Sequence, residues 1–180
     1  MTYIVTALKP EAQAFVDYYK LTKSKLDSYT LFSNEQIKLI ISGVGVENAR
    51  LATQTLIEYF DIDHEDVCMN VGVCAASRNY KIGTLIECGA VLYEDIKYIF
   101  DIEKPSINCV TKEISSPIYD RVDMESYGFY DAVIHNRAIK KFYIFKVVSD
   151  HFEPHKVTKE QAKSLLFNQI KTINKLIEEF

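Results

Sequence analysis

The chain of 180 residues is 48% hydrophobic and 26% charged, with a formal net charge of −4. This length can bury the core of one domain over residues 1–180, and the mild acidity argues against a surface that binds nucleic-acid phosphates. No run approaches the roughly 18 apolar residues of a membrane span, the first residues lack the features of a signal peptide, and the four cysteines form no C-x-x-C pair. We therefore expect a cytoplasmic protein with reduced thiols and no membrane or nucleic-acid partner.

The hydrophobic pattern predicts strands that alternate with helices. Apolar runs predict strands at residues 3–7, 29–32, 37–42, 67–73, 84–93 and 142–148, with a weaker candidate at 107–110. Helices are predicted from Pro10, after Gly45, over residues 122–135, and from Thr158, which forms a capping-box pattern with Gln161. The pattern therefore predicts an α/β fold, with a mostly parallel or mixed central sheet flanked by helices in three layers.

Ligands of α/β folds usually bind where strands end and loops begin. At the first such junction, Glu11 falls in the first turn of a helix, whose dipole favours a carboxylate and should keep its pKa low. At the second, Ser42 and Gly43 begin a glycine-containing loop whose backbone N–H groups could approach a ligand oxygen. That loop is a weak match to a dinucleotide motif, because Asn48 stands where the third glycine would be.

The later junctions add small residues and two more acids. Val73 leads into small residues, which either leave room for a ligand or allow tight helix packing. Asp150 follows Ser149 just past a buried strand, where partial desolvation suits a proton donor. Between them, Met124 is expected in the core, next to an exposed Glu125. Each of these positions taken alone also has a purely structural explanation.

Five short motifs occur in order along the chain: A-L-x-x-E-A after the first strand, S-G-V-G-x-x-N-A after an early hairpin, N-V-G-V-x-A in mid-chain, D-M-E before a late helix and V-S-D after the last strand. This series resembles the nucleoside phosphorylase/nucleosidase superfamily. It is most similar to the methylthioadenosine/S-adenosylhomocysteine nucleosidase-like proteins, and it extends from Ile4 to the last helix.

The resemblance implies a purine nucleosidase that needs no metal or organic cofactor. By position, Glu11 would activate the attacking water, Asp150 would protonate N7 of the purine, and Glu125 would accept hydrogen bonds from the ribose 2′ and 3′ hydroxyls. The resemblance also implies substrate-binding roles for the neighbouring residues Ser42, Gly43, Val73, Met124 and Ser149. It further implies a homodimer or larger homo-oligomer.

The sequence departs from the superfamily at three places, one of which is the mid-chain loop Val73-Cys74-Ala75-Ala76-Ser77, where the resemblance would imply more glycine. Leu8-Lys9-Pro10 replaces the Gly-Asp-Pro-like turn of the phosphorylases, and none of the four arginines falls on a phosphate motif. Hydrolysis is therefore favoured, with a phosphate-dependent phosphorylase as the alternative. The stretch between residues 94 and 121 is shorter than the resemblance would lead us to expect. A non-catalytic nucleoside-binding or interaction protein on a shortened scaffold is therefore a further alternative.

Overall fold

The computed structural model describes residues 1–178. In this part of the chain, eleven strands form one sheet, and four α-helices pack on it. The strands are β1 (Thr2–Thr6), β2 (Thr22–Leu26), β3 (Tyr29–Ser33), β4 (Ile37–Ile41), β5 (Val67–Ala76), β6 (Leu85–Cys88), β7 (Ala90–Tyr93), β8 (Ile96–Ile99), β9 (Ser106–Cys109), β10 (Arg121–Asp123) and β11 (Lys141–Asp150). The helices are α1 (Lys9–Tyr19), α2 (Val46–Phe60), α3 (Ser126–Ile134) and α4 (Lys159–Glu178).

The centre of the sheet consists of four parallel strands in the order β4, β1, β5 and β11. The hairpin of β2 and β3 extends one edge, and β6 pairs antiparallel with β11. The end of β5 also pairs antiparallel with β10, which continues the sheet through β9 and β7 to β8. The predicted mixed sheet is confirmed, and β5 lies at its centre.

Helices cover both faces of the sheet, as predicted. On one face, α1 and α4 bury Phe15 and Leu166 against Met69 of β5. On the other face, α2 and α3 bury Leu56 and Phe129. The long apolar runs of β5 and β11 are buried from both sides, because each strand lies between two helical layers.

Two sequence predictions are corrected by the structure, and two strands were not predicted. The strand predicted at 84–93 breaks at Gly89, where a Cβ would lie 2.1 Å from the Asp101 carbonyl oxygen, so its halves pair with different strands. The helix predicted over 122–135 begins only at Ser126, because Val122 pairs with both β5 and β9. The strand β2 has no apolar signal, since four of its five residues are exposed and the hairpin holds it in place. The strand β8 was also not predicted.

The close packing of α2 on α3 brings two loops of the candidate site together. A Cβ at Gly128 would lie 1.9 Å from the Val46 carbonyl oxygen, so this contact requires glycine. As a result, Gly45, which precedes α2, is near enough to Glu125 to form a hydrogen bond of 3.0 Å.

Candidate active site

A cavity of about 300 Å³ lies beyond the carboxyl ends of β1, β5 and β11. Six of the eight predicted site residues line it: Glu11, Val73, Met124, Glu125, Ser149 and Asp150. Ser42 and Gly43 do not line it, and their neighbour Val44 does. The Ser42 hydroxyl is instead 3.2 Å from the Thr6 carbonyl oxygen, where it joins β4 to β1. Residues from four separate junctions thus surround one space.

Glu11 is held by three backbone N–H groups. Its Oε2 accepts hydrogen bonds from the N–H groups of Ala7 (3.0 Å) and Leu8 (2.8 Å), and its Oε1 accepts one from Val73 (3.0 Å). The residue is buried, and burial raises the pKa of its carboxyl group, although the Val73 N–H and the charge of Lys146 oppose the rise. The prediction of a low pKa from the helix dipole is therefore wrong, because desolvation outweighs the favourable partners.

Because Gly72 has no side chain, the Glu11 carboxylate can lie against this part of β5. A Cβ at position 72 would lie 2.9 Å from Oε1 of Glu11, closer than ordinary van der Waals contact. A bare backbone at this point of β5 lets the carboxylate reach the Val73 N–H. The glycine of the N-V-G-V motif therefore has a specific role in placing Glu11.

The burial of Glu125 and Met124 differs from that predicted. Glu125 is buried, and Met124 is half-buried. Because α3 begins after these residues, Glu125 turns inward, where its Oε1 accepts a hydrogen bond from the Gly45 N–H. The pKa of Glu125 is raised to about 7: burial is the largest cause, Lys146 opposes the rise, and Asp123 and Glu11 add to it. Its other carboxyl oxygen, Oε2, also has lone pairs to which a ligand hydroxyl can donate.

Asp150 is held on both of its carboxyl oxygens. The Ser149 hydroxyl donates to Oδ2 (2.7 Å), and the backbone N–H of Glu153 donates to Oδ1 (2.8 Å). The pairing of β11 with β5 shifts register between Val148 and Asp150. Such an irregularity re-aims side chains at the end of a strand, and Asp150 lines the cavity from this position.

A buried ion pair at the cavity was not predicted from the sequence, and its acidic member, Asp123, lines the cavity wall. Lys146 Nζ lies 2.7 Å from Asp123 Oδ2, and both side chains are almost completely buried. The signal was present, because Lys146 interrupts the apolar run of β11 and a buried lysine needs a partner. The loop between β9 and β10 also forms part of the cavity wall, which was not predicted. It contributes Val110, Glu113 and Ile114.

The described residues give no sign of a metal site. Across residues 1–178, no group of three or more His, Cys, Asp or Glu is arranged to hold an ion. No helix within the same range is long and apolar enough to cross a membrane.

The fold is an α/β architecture whose cavity lies at the carboxyl ends of its central parallel strands. No protein-family model and no curated protein sequence matches the chain. Solved structures do match, and among them are structures of 5′-methylthioadenosine/S-adenosylhomocysteine nucleosidases. The fold predicted from the resemblance is therefore confirmed.

Three of these structures illustrate the match. A putative nucleosidase of Francisella philomiragia is 13% identical and has a TM-score of 0.80, with 99% of each chain covered. A Helicobacter pylori mutant enzyme with 5′-methylthioadenosine in its active site is 12% identical at a TM-score of 0.82, covering 99% of this chain and 98% of its own. The Arabidopsis thaliana 5′-methylthioadenosine nucleosidase in apo form is 16% identical at 0.80, covering 98% and 95%.

Proposed function

We propose that this protein is a nucleosidase that hydrolyses the N-glycosidic bond of adenosine-type nucleosides such as methylthioadenosine. One observation carries the proposal: Glu11, Glu125 and Asp150 come from three separate junctions and line one cavity. Hydrolysis of this bond needs an acid on the base, a water-activating group and a clamp on the sugar. The similarity of fold to nucleosidases, including one with 5′-methylthioadenosine in its active site, supports the same substrate class.

In the proposed mechanism, Asp150 donates its proton to N7 of the purine as the bond from C1′ to the base breaks. The sugar takes on oxocarbenium character, and water adds to C1′ while giving its proton to Glu11. Three N–H donors and the nearby charge of Lys146 stabilise the ionised form of Glu11, which a general base requires. The products are the free base and the sugar, with one water consumed.

Glu125 is proposed to hold the ribose. The Gly45 N–H fixes its Oε1, so the carboxylate is oriented before a substrate binds. Its remaining lone pairs suit the 2′ and 3′ hydroxyls, which are both donors. Met124 lines the cavity beside it and provides an apolar surface for the sugar.

The charge of the cavity favours hydrolysis over phosphorolysis. None of the four arginines is among the described residues that line it, and the cationic side chain found there is that of Lys159. The acidic residues that line it are Glu11, Glu113, Asp123, Glu125 and Asp150. With one lysine and no arginine among the described residues that line it, the cavity offers little attraction to phosphate, which supports water as the nucleophile.

Two further expectations stay predictions. The sequence indicated a cytoplasmic protein, and the resemblance implied a homodimer or larger homo-oligomer. Size-exclusion chromatography with light scattering would test the oligomer directly.

The experiment that tests the proposed function is free-base release, followed by chromatography, from purine nucleosides and 5′-thioadenosines with and without phosphate. We expect adenine to appear at the same rate in both conditions. Release that requires phosphate would make the protein a phosphorylase. Ligand-induced thermal stabilisation without any release would instead indicate a non-catalytic nucleoside-binding protein.

A further inference from the structure

Lys146 is a charged residue in the interior of the sheet. It lies within β11, it is 1% exposed, and Phe145 and Val147 on either side are completely buried. A buried ammonium group is unfavourable unless it is paired and hydrogen-bonded. Its Nζ lies 2.7 Å from Asp123 Oδ2, so the charge has a partner. Burying such an ion pair still costs desolvation energy, so the pair is weak evidence of a stabilising role and suggests a functional one.

Asp123 connects this lysine to the candidate sugar clamp. Its Oδ2 accepts the N–H of Ser126 at 2.9 Å and that of Glu125 at 3.3 Å, while its Oδ1 accepts the Ser126 hydroxyl at 2.6 Å. These bonds satisfy N–H groups at the start of α3 and fix the backbone of Glu125. Lys146 therefore acts on Glu125 through Asp123, and Lys146 itself does not line the cavity.

Titratable groups face Lys146 from several elements. They are Glu11 of α1, Asp123 of β10, Glu125 before α3, Cys74 of β5, Cys88 of β6 and Cys109 of β9. Burial raises the pKa of each thiol, so the three cysteines are neutral at pH 7. The charge of Lys146 is thus balanced against three carboxyl groups. Burial opposes that charge, but Asp123, Glu125 and Glu11 together raise the pKa of the lysine above its ordinary value.

We propose that Lys146 is a positioning residue and the buried counter-ion of the candidate active site: through Asp123 it holds Glu125 in place, and its charge favours the ionised forms of Glu11 and Glu125. The catalytic consequence rests on the proposed function, whereas the electrostatic effect does not. In the pairing of β5 with β11, Lys146 lies beside Gly72, the residue that leaves space for the Glu11 carboxylate. One buried cation therefore lies beside the strand position that faces Glu11 and is linked through Asp123 to Glu125.

Three variants separate charge from shape. Lys146→Met removes the cation and keeps much of the side-chain volume. Asp123→Asn removes one carboxylate and keeps an oxygen for the α3 backbone. The double variant removes one charge of each sign, so the net charge of the cluster equals that of the parent. If Lys146→Met does not fold, Asp123→Asn and the double variant still test the proposal.

The first readout is the pH at which base release from methylthioadenosine reaches half of its maximum on the acid side. An opposite charge nearby lowers a carboxyl pKa by about one unit or more. We therefore expect this pH to rise by about one unit in Lys146→Met, to fall in Asp123→Asn and to return near the parent value in the double variant. A purely structural role would lower kcat in all three variants without this order.

The second readout does not depend on turnover. Carboxyl ¹³C NMR of protein labelled at glutamate gives the titration midpoints of Glu11 and Glu125 in the parent and in each variant, with Glu→Gln variants for assignment. The same order of midpoints is expected. If the parent releases no base but this order holds, the proposed function fails and the counter-ion role of Lys146 stands. Equal midpoints in all four proteins would overturn the proposal whether or not the parent is active.

Discussion

Gly72→Ala tests how closely the position of Glu11 controls the candidate site. The new Cβ would lie 2.9 Å from Oε1 and 3.4 Å from the carboxyl carbon of Glu11. To restore ordinary contact, the carboxylate must retreat by roughly half an ångström. That movement lengthens the 3.0 Å hydrogen bond from the Val73 N–H and displaces the proposed base.

Two opposing terms set the effect of Gly72→Ala on stability. Overpacking a buried site destabilises a protein by about 1–3 kcal/mol, while replacing glycine by alanine in a strand stabilises it by roughly 0.5–1 kcal/mol. We therefore expect the free energy of unfolding to fall by about 1 kcal/mol. Because a misplacement of about 1 Å can lower a rate about 100-fold, half of that displacement should lower kcat/KM about tenfold.

The assay combines urea unfolding with base release from methylthioadenosine. The control is the double variant Gly72→Ala/Glu11→Asp, in which the shorter acid leaves room for the new methyl group. We expect it to lose less stability than the sum of the two single variants. If Gly72→Ala has the parent's stability and the parent's kcat/KM, the reasoning about this contact is refuted.

Two further predictions concern packing and pH. Gly128→Ala places a Cβ 1.9 Å from the Val46 carbonyl oxygen, so α2 and α3 must move apart. We expect the free energy of unfolding to fall by about 3 kcal/mol or more. An unchanged urea midpoint would contradict the close packing of the two helices. Because the pKa of Glu125 is raised from 4.5 to about 7, its folded form binds more protons than its unfolded form between these values. Its contribution to stability is therefore complete at low pH and lost as the pH rises through 7, by up to about 3 kcal/mol. Glu125→Gln should remove this dependence from urea midpoints measured at pH 5 and pH 8, and a persisting slope of the same size would refute the assignment.

The sequence predicted the strands that are buried on both faces, because their apolar runs are long. It did not predict β2 and β8, which are mostly exposed and are held by neighbouring strands. The break in the strand at Gly89 could not be predicted either. It depends on the close approach of the Asp101 carbonyl oxygen, which is a tertiary contact that the local sequence does not show. Periodicity therefore identifies elements that apolar burial stabilises, and it misses those that depend on pairing.

The candidate site was predicted mainly from short motifs and their order, and those predictions of role stay untested. Position alone gave the wrong burial for Glu125, because the start of α3 was placed too early. The pair of Lys146 with Asp123 could not be foreseen as a pair, since 22 intervening residues separate the two in the sequence. Their contact depends on β10 and β11 both approaching β5.

The most direct test of the proposed mechanism is adenine release from methylthioadenosine, without phosphate, by the parent and by Glu11→Gln and Asp150→Asn. Circular dichroism and urea unfolding would first establish that both variants are folded. General acid–base groups contribute about 10²–10⁴-fold to a rate, so we expect each variant to lose at least about 100-fold in kcat. Variants that are folded and release adenine as fast as the parent would contradict the assignment of both residues.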